Sequence, residues 1–378
     1  MSAGLDPAGF GRELKRRGCF LFTGVPCSSL GGLINSAING GDYLISSNEG
    51  DAAALCAGLH LGGRLGIVLM QNSGLTNAAS PLSSLHHIFR IPLLAFISLR
   101  GEPGVKDEPQ HRLMGRITGK MLDLLQVRHA LLSPNSARAR TQLETAFRHI
   151  ARGGSFAFIV RDGVFNSAPL SPTPRPQARR RAAITGAYSQ APSRLDALRA
   201  IAGTAGGDTA ILAATGKTGR ELCELGDLAR NFYMVGSMGC LSSLALGVAL
   251  ARPGRRIIAV DGDGALLMRL GALASVARAA PPNLLHIVLD NGTCDSTGGQ
   301  PTLSDSADIA GAAAALGYPR VRRCGGIADL KRQLARWRGK GGLEFVHLPV
   351  APGSKHPLGR PAIPPEKLKE RFMEFLNG

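Results

Sequence analysis

The sequence predicts two α/β domains, each a doubly wound parallel sheet, with no third domain between them. Three observations carry that prediction. Short apolar runs alternate with segments of helical spacing as far as residue 160, pause, and then resume. The pause is NSAPLSPTPRPQARRRAAITGAYSQAPS, a stretch rich in Pro, Ser and Arg that reads as a partly extended linker. The 378 residues are 44% hydrophobic with 49 glycines and only 5% aromatics, enough to bury two ample cores of Ala, Gly and Leu. The expected organisation is therefore a first domain over 1–165, a linker over 166–193 and a second domain over 194–378.

The first half justifies its elements in turn. PAGFGRELKRRG, residues 7–18, is amphipathic and stops at Gly18. A strand over 19–22 leads to the loop 23–29, and a strand over 43–46 ends in Ser47-Asn48-Glu49-Gly50-Asp51, where a helix over 52–61 starts. The strand 65–70 leads into Gln71-Asn72-Ser73-Gly74 and a helix running through Leu85. The strand 91–98 precedes a long polar loop, Arg100 to His111, and helices are expected over 112–125 and 136–151. The strand 156–160 closes the domain.

The second half repeats the pattern. A strand over 211–214 ends in Thr215-Gly216-Lys217-Thr218, and one over 231–235 precedes Gly236-Ser237-Met238-Gly239 and a helix over 241–251. The centre of the domain is 257–302. An apolar run, 257–260, ends in Asp261-Gly262-Asp263-Gly264. A helix-like segment follows until Pro281-Pro282, and a second run, 284–289, ends in Asp290-Asn291-Gly292. This is a strand–helix–strand unit whose parallel strands present their carboxyl ends together. Helices near 307–316 and 327–338, strands over 320–324 and 343–348, and an amphipathic helix over 365–376 complete the chain.

The chemistry-bearing residues gather at these strand ends. Asp263 and Asn291, 28 positions apart, offer hard oxygen ligands to Mg²⁺, which takes one or two protein carboxylates and fills its octahedron with water and phosphate oxygens. Gly262 and Gly264, with Ala265 behind them, let backbone N–H groups approach a phosphate. The unit is thus read as a site for a metal-bridged diphosphate. Thr215-Gly216-Lys217 lacks the upstream glycine of a P-loop and reads instead as a turn whose N–H groups and hydroxyls help hold that diphosphate, with Lys217 near phosphate or substrate. Glu49 at a strand-to-helix junction suits the positive end of a helix, and Met238 on its own suits core filling. The loop ending Lys106-Asp107-Glu108-Pro109-Gln110-His111 packs cations, carboxylates and an imidazole into six positions. His111 is the candidate acid, oriented by Asp107 or Glu108.

GDG followed by a paired Asn after about thirty residues resembles the thiamine diphosphate motif of the decarboxylase and acetolactate synthase superfamily, with Asp290 standing where the first Asn is usual. The runs FTGVPCSSL, SSNEGDAAALCAGLHLGG, TGKTGREL, KDEPQH and DSTGGQ narrow the resemblance to the phosphonopyruvate decarboxylase family, from about residue 20 to the C-terminal helix. The resemblance implies thiamine diphosphate and Mg²⁺ as cofactors, with Asp263, Asn291 and the Thr293 carbonyl on the metal. It implies that Glu49 hydrogen-bonds the aminopyrimidine. It further implies that Met238 wedges between the cofactor's two rings, with the Gly236 carbonyl and Met238 N–H holding the aminopyrimidine and Ser237 completing the turn. Pro26, Ser28, Lys106, Gln110 and Lys217 become substrate contacts. The implied substrate is an anionic 2-oxo acid, 3-phosphonopyruvate, with sulfopyruvate, carboligation and a catalytically silent thiamine-binding role as alternatives. The cofactor is implied to lie between subunits of a homo-oligomer.

The net charge of +17 raises the question of nucleic acid. The basic residues are scattered apart from Arg179-Arg180-Arg181, read as a solvated patch, and no zinc-finger, RNA-recognition or helix-turn-helix signature accompanies them. No nucleic-acid partner is expected, although a basic field steers anionic substrates. Seven cysteines without a CxxC pair, a charged N-terminus and no long apolar run point to a cytoplasmic protein with no membrane partner.

Overall fold

The computed structural model describes residues 4–172 and 182–378. The arginine run 179–181 lies outside the described residues. The chain forms two units, Met1–His60 with Arg64–Arg175 and Leu61–Gly63 with Pro176–Gly378.

The first unit is a six-stranded parallel sheet. Its strands are β1 (Cys19–Gly24), β2 (Tyr43–Ile45), β3 (Leu65–Gln71), β4 (Leu94–Ser98), β5 (Arg128–Leu131) and β6 (Phe156–Val160), in the order β2-β1-β3-β4-β6-β5. Alternate residues of the central strands feed two separate cores. Ile67, Leu69, Leu94, Phe96, Phe156 and Phe158 face one layer of helices. Val68, Met70, Ala95, Ile97, Ala157 and Ile159 face the other. Burial on both faces is why these strands read as continuous apolar runs rather than alternating ones. The order turns back between β1 and β3, so the crevice at their carboxyl ends is the topological switch point, where open α/β sheets bind ligands.

The second unit is a seven-stranded parallel sheet. Its strands are β7 (Ile184–Thr185), β8 (Thr209–Ala213), β9 (Asn231–Tyr233), β10 (Arg256–Gly262), β11 (Leu284–Asp290), β14 (Val321–Arg323) and β15 (Glu344–Pro349), in the order β7-β14-β15-β11-β10-β8-β9. A small antiparallel hairpin pairs β12 (Thr293–Cys294) with β13 (Gln300–Pro301). Here the order turns back between β8 and β10. The register pairs Ala213 with Val260 and Gly262 with Leu289, which brings the ends of β8, β10 and β11 level.

Several details differ from the sequence reading, each for a physical reason. β5 is an edge strand of sequence RHAL whose side chains are half-buried or exposed, so it carries no apolar signal. β7 lies inside the stretch expected to be a linker and pairs with β14, because an edge strand needs only backbone partners on one side. The helix expected after Asp263 is two helices, Asp263–Met268 and Ala272–Ala279. The helix expected from Ala52 begins three residues earlier, at Glu49. Among the described residues, no helix is long and apolar enough to cross a membrane.

Candidate cofactor and substrate site

In the second unit the switch point opens into a cavity of about 220 Å³. It is lined from three strand ends: Thr215, Gly216 and Lys217 after β8, Gly262 to Ala265 after β10, and Asn291 and Thr293 after β11. Three stretches separated by tens of residues, each picked out in the sequence, thus meet in one place. Gly216 takes φ +96°, a conformation that an L side chain rarely adopts, and an added Cβ would stand 2.9 Å from Ser296 Oγ. Lys217 is the first residue of the helix Lys217–Glu224, half-buried, and makes no ion pair among the described residues.

Asp263 is 2% exposed and accepts a hydrogen bond from the Thr302 hydroxyl. Burial pushes its carboxyl above the usual range, and the neighbouring Asp290 carboxylate adds to the rise against the Thr302 bond. No Lys, Arg or His pairs with it among the described residues. A buried carboxylate without a cation is costly, and a divalent ion would supply the missing charge. Asn291 is 9% exposed and donates both hydrogens of Nδ2, to Thr293 Oγ1 at 2.8 Å and to Asp295 Oδ2 at 2.9 Å. Its carbonyl oxygen is left turned away from those partners. Asp263, Asn291 and Thr293 line one cavity, and a carboxylate, an amide oxygen and a main-chain carbonyl are the donor types that suit a hard divalent ion carrying phosphate oxygens. No group of three or more His, Cys, Asp or Glu side chains forms a metal cage among the described residues, and this donor set does not need one.

Asp290, where Asn is usual, is not among the residues lining the cavity. It accepts from His347 Nε2 at 2.9 Å, from Ser304 Oγ at 2.8 Å and from Gly292 N at 3.0 Å. Burial works to raise its pKa, but the His347 and Ser304 bonds overcome this and hold it below the usual range.

Gly236 to Gly239 make a tight turn in which Ser237 takes φ +52° and Gly239 φ +88°. Gly236 and Ser237 are not among the lining residues, whereas Met238 is. Met238 is 37% exposed, and its Cε lies 3.6 Å from where a Cβ on Gly264 would stand. It is therefore not core filling. An apolar side chain is held out over the cavity mouth.

In the first unit Glu49 sits on the first turn of its helix, 9% exposed, with Oε2 accepting from Asn77 Nδ2 at 2.9 Å. Its side chain lies directly over Gly74, where a Cβ would stand 2.2 Å from Oε1. The loop after β4 is organised by Asp107. Its carboxylate takes a two-pronged contact from Arg100, with Nε–Oδ2 at 2.8 Å, and accepts from the N–H groups of Gly101 and Glu108, each at 2.7 Å. The Arg100 guanidinium first, and His111 second, hold Asp107 well below the usual carboxylate range. His111 Nδ1 lies 2.9 Å from Asp107 Oδ1, so of the two carboxylates expected to orient it, Asp107 makes the contact. Nε2 of His111 is left 3.5 Å from Gln71 Nε2. Arg100 also donates to Ser28 Oγ at 3.2 Å, which ties the loop after β1 to the loop after β4. Pro26, Lys106 and Gln110 are exposed, and none makes a side-chain hydrogen bond among the described residues. Sequence reasoning missed Arg100, Gly74, Asn77, Arg194, Asp295 and Thr302. Asp295 lay within DSTGGQ, but nothing local marked Arg194 as its partner 101 positions upstream.

The chain is similar to known proteins along nearly its whole length. The thiamine pyrophosphate enzyme C-terminal TPP binding domain matches residues 228–348, which span β10, β11 and the Met238 turn. A phosphonopyruvate decarboxylase of Streptomyces hygroscopicus is 46% identical over 93% of this chain and 89% of its own length. One of Streptomyces viridochromogenes is 44% identical over 94% and 90%. A sulfopyruvate decarboxylase of Methanosarcina acetivorans is 29% identical over 96% of both chains. The fold matches the crystal structure of benzoylformate decarboxylase from Polynucleobacter necessarius with a TM-score of 0.72 over 93% of this chain and 99% of that one, at 10% identity. The two sheets are thus the paired α/β domains of the thiamine diphosphate-binding fold. The chain belongs to the phosphonopyruvate decarboxylase family of thiamine diphosphate-dependent decarboxylases.

Proposed function

We propose that this chain decarboxylates 3-phosphonopyruvate to phosphonoacetaldehyde and CO₂, using thiamine diphosphate and Mg²⁺. The observation that carries the reading is the 46% identity to a phosphonopyruvate decarboxylase along nearly the whole chain. Thiamine diphosphate, when bound, supplies the electron sink that a 2-oxo acid lacks when it loses CO₂. Asp263, Asn291 and the Thr293 carbonyl would hold Mg²⁺. The backbone of Thr215 and Gly216 and of Gly262 to Ala265 would hold the diphosphate, and Lys217 would oppose its charge. Glu49, steadied by Asn77, would hydrogen-bond the aminopyrimidine and hold the shared proton. His111, oriented by Asp107, would deliver a proton to the carbon that has lost CO₂. Ser28, Pro26, Lys106 and Gln110 would line the substrate's path. The chain would act as a homo-oligomer in which Glu49 of one subunit and Asp263 of another serve one cofactor. Its seven free cysteines suit a reducing cytoplasm. The product, an aldehyde that keeps its C–P bond, would feed phosphonate biosynthesis, of the antibiotic kind in our reading.

Substrate choice tests the reading. Lys106, Lys217 and His111 would offer two or three hydrogen bonds to the phosphonate, charge-assisted by its anionic oxygens and each worth roughly 1.5–3 kcal/mol. Pyruvate leaves those donors unpaired, so discrimination against it should be on the order of a thousandfold or more. Sulfopyruvate keeps three oxygens and loses one charge, so it should fall between. A panel of the three acids with product identification is expected to rank kcat/KM as phosphonopyruvate, sulfopyruvate, pyruvate. Equal or better turnover of sulfopyruvate would move the assignment to the second reading, which the 29% identity to the Methanosarcina enzyme supports. Efficient turnover of pyruvate would discard the anionic pocket.

A further inference from the structure

An asparagine can face a metal with either end of its amide, and only the oxygen ligates. In this chain Asp295 selects the end. Asn291 Nδ2 donates to Asp295 Oδ2 at 2.9 Å, and Thr293 Oγ1 donates to Asp295 Oδ1 at 2.8 Å. A carboxylate only accepts, so it can hold only the nitrogen end of the amide. Asp295 is itself held by Arg194, a side chain 5% exposed on the first turn of the helix Arg194–Thr204. Arg194 Nη1 donates to Asp295 Oδ2 at 3.0 Å, Nε to Glu221 Oε2 at 2.9 Å, and Nη2 to the Gly353 carbonyl at 3.0 Å. One buried cation thus joins the stretch after β11 to two other parts of the second unit. Beyond Asp295 the hairpin is closed at its tip, where Thr297 Oγ1 donates to Gln300 Oε1 at 2.8 Å and Gln300 Nε2 to the Thr297 carbonyl at 3.0 Å.

We propose that Asp295, held by Arg194, is a positioning residue that fixes the Asn291 amide with its oxygen toward a divalent cation. This rests on the reading above that Asn291 is a metal ligand. Groups of this kind orient a ligand without touching the metal, and their loss weakens metal binding about 10–100-fold. The stretch Asp295-Ser296-Thr297-Gly298-Gly299-Gln300 thereby acquires a role in holding that carboxylate against the ligand.

The test removes the shared acceptor and then restores it without its charge. One oxygen, Asp295 Oδ2, takes both Arg194 Nη1 and Asn291 Nδ2. Asp295→Ala removes it and leaves the Asn291 nitrogen with Thr293 Oγ1 alone, so the amide is free to turn. Asp295→Asn removes the same charge but keeps an amide oxygen at the shared position, with its nitrogen toward Thr293 Oγ1. Calorimetric titration of Mg²⁺ into enzyme saturated with thiamine diphosphate should show affinity falling on the order of tenfold or more in Asp295→Ala. Affinity in Asp295→Asn should stay within about threefold of the parent, with the melting temperature of the metal-free protein recorded for each. Less than a threefold loss in Asp295→Ala, or a folded Asp295→Asn variant as weak as Asp295→Ala, overturns the proposal. If Asp295→Ala does not fold, Asp295→Ser, too short to reach both partners, takes its place by the same limits. Binding of the cofactor without Mg²⁺ by the parent would overturn the metal-site reading and this proposal together. A parent that needs Mg²⁺ and an Asp295→Ala variant equal to it would overturn this proposal alone.

Discussion

Gly74→Ala tests the seat of Glu49 without touching its carboxylate. A Cβ at position 74 would lie 2.2 Å from Glu49 Oε1, 2.3 Å from Cδ and 2.5 Å from Cγ. Ordinary contact needs about 3.5–4.0 Å, so the side chain must retreat by more than about 1 Å. Because Cγ itself is struck, rotation about the outer bonds brings no relief and Glu49 must change its first side-chain torsion. That change breaks the 2.9 Å bond from Asn77, worth roughly 1.5–3 kcal/mol for a charged acceptor. Overpacking adds roughly 1–3 kcal/mol of strain if the side chain stays. A misplacement of about 1 Å in a catalytic group costs on the order of a hundredfold in rate. The variant should therefore bind Mg²⁺ and thiamine diphosphate like the parent, since the second unit supplies those donors, while kcat for CO₂ release falls about a hundredfold. Gly31→Ala, where an added Cβ meets nothing within 4 Å, is the control. A Gly74→Ala enzyme with kcat within threefold of the parent would refute the placement of Glu49 in the chemistry.

Other outcomes follow from the same geometry. Asp263→Ala should abolish Mg²⁺-dependent cofactor binding by calorimetry, whereas Glu49→Gln should keep binding and slow hydrogen–deuterium exchange at the thiazolium C2. Rapid exchange in Glu49→Gln would remove its assigned role. Arg194→Met strands two carboxylates, Glu221 at 1% and Asp295 at 10% side-chain exposure, which should cost roughly 3–5 kcal/mol. In a domain of this size that is a fall in melting temperature of roughly 6–20 °C by scanning calorimetry. The Asp107 carboxyl is held below its usual range, so the order it gives the loop 100–111 is fully present above about pH 4 and is lost as pH falls through its lowered folded value. Amide exchange of residues 101–111, corrected for intrinsic rates, should be equally protected at pH 5 and 7, and loss of protection by pH 5 would contradict the assignment.

Much of the fold was legible in the sequence because strands buried on both faces must be continuous apolar runs. β3, β4, β6, β10 and β11 were found on that ground, with boundaries off by up to three residues. The strands that escaped, β5, β7 and the hairpin of β12 and β13, sit at sheet edges or outside the sheets and bury few apolar side chains. Their pairing is made by backbone groups that every residue carries, so side-chain pattern holds no record of them.

The sequence by itself determined which residues end the strands of the second unit, and hence that Asp263, Asn291 and the Thr215 turn converge, since parallel register forces neighbouring strand ends level. It also determined that His111 shares a short loop with carboxylates. Tertiary structure alone decided which carboxylate orients His111, that Gly74 makes room for Glu49, that Met238 faces the cavity rather than the core, and that Arg194 anchors Asp295 from 101 positions away. Strand ends follow from local pattern, which is written in consecutive residues. Hydrogen-bond partners and close approaches depend on distances between segments far apart in the chain, and those are fixed only when the sheets and helices pack.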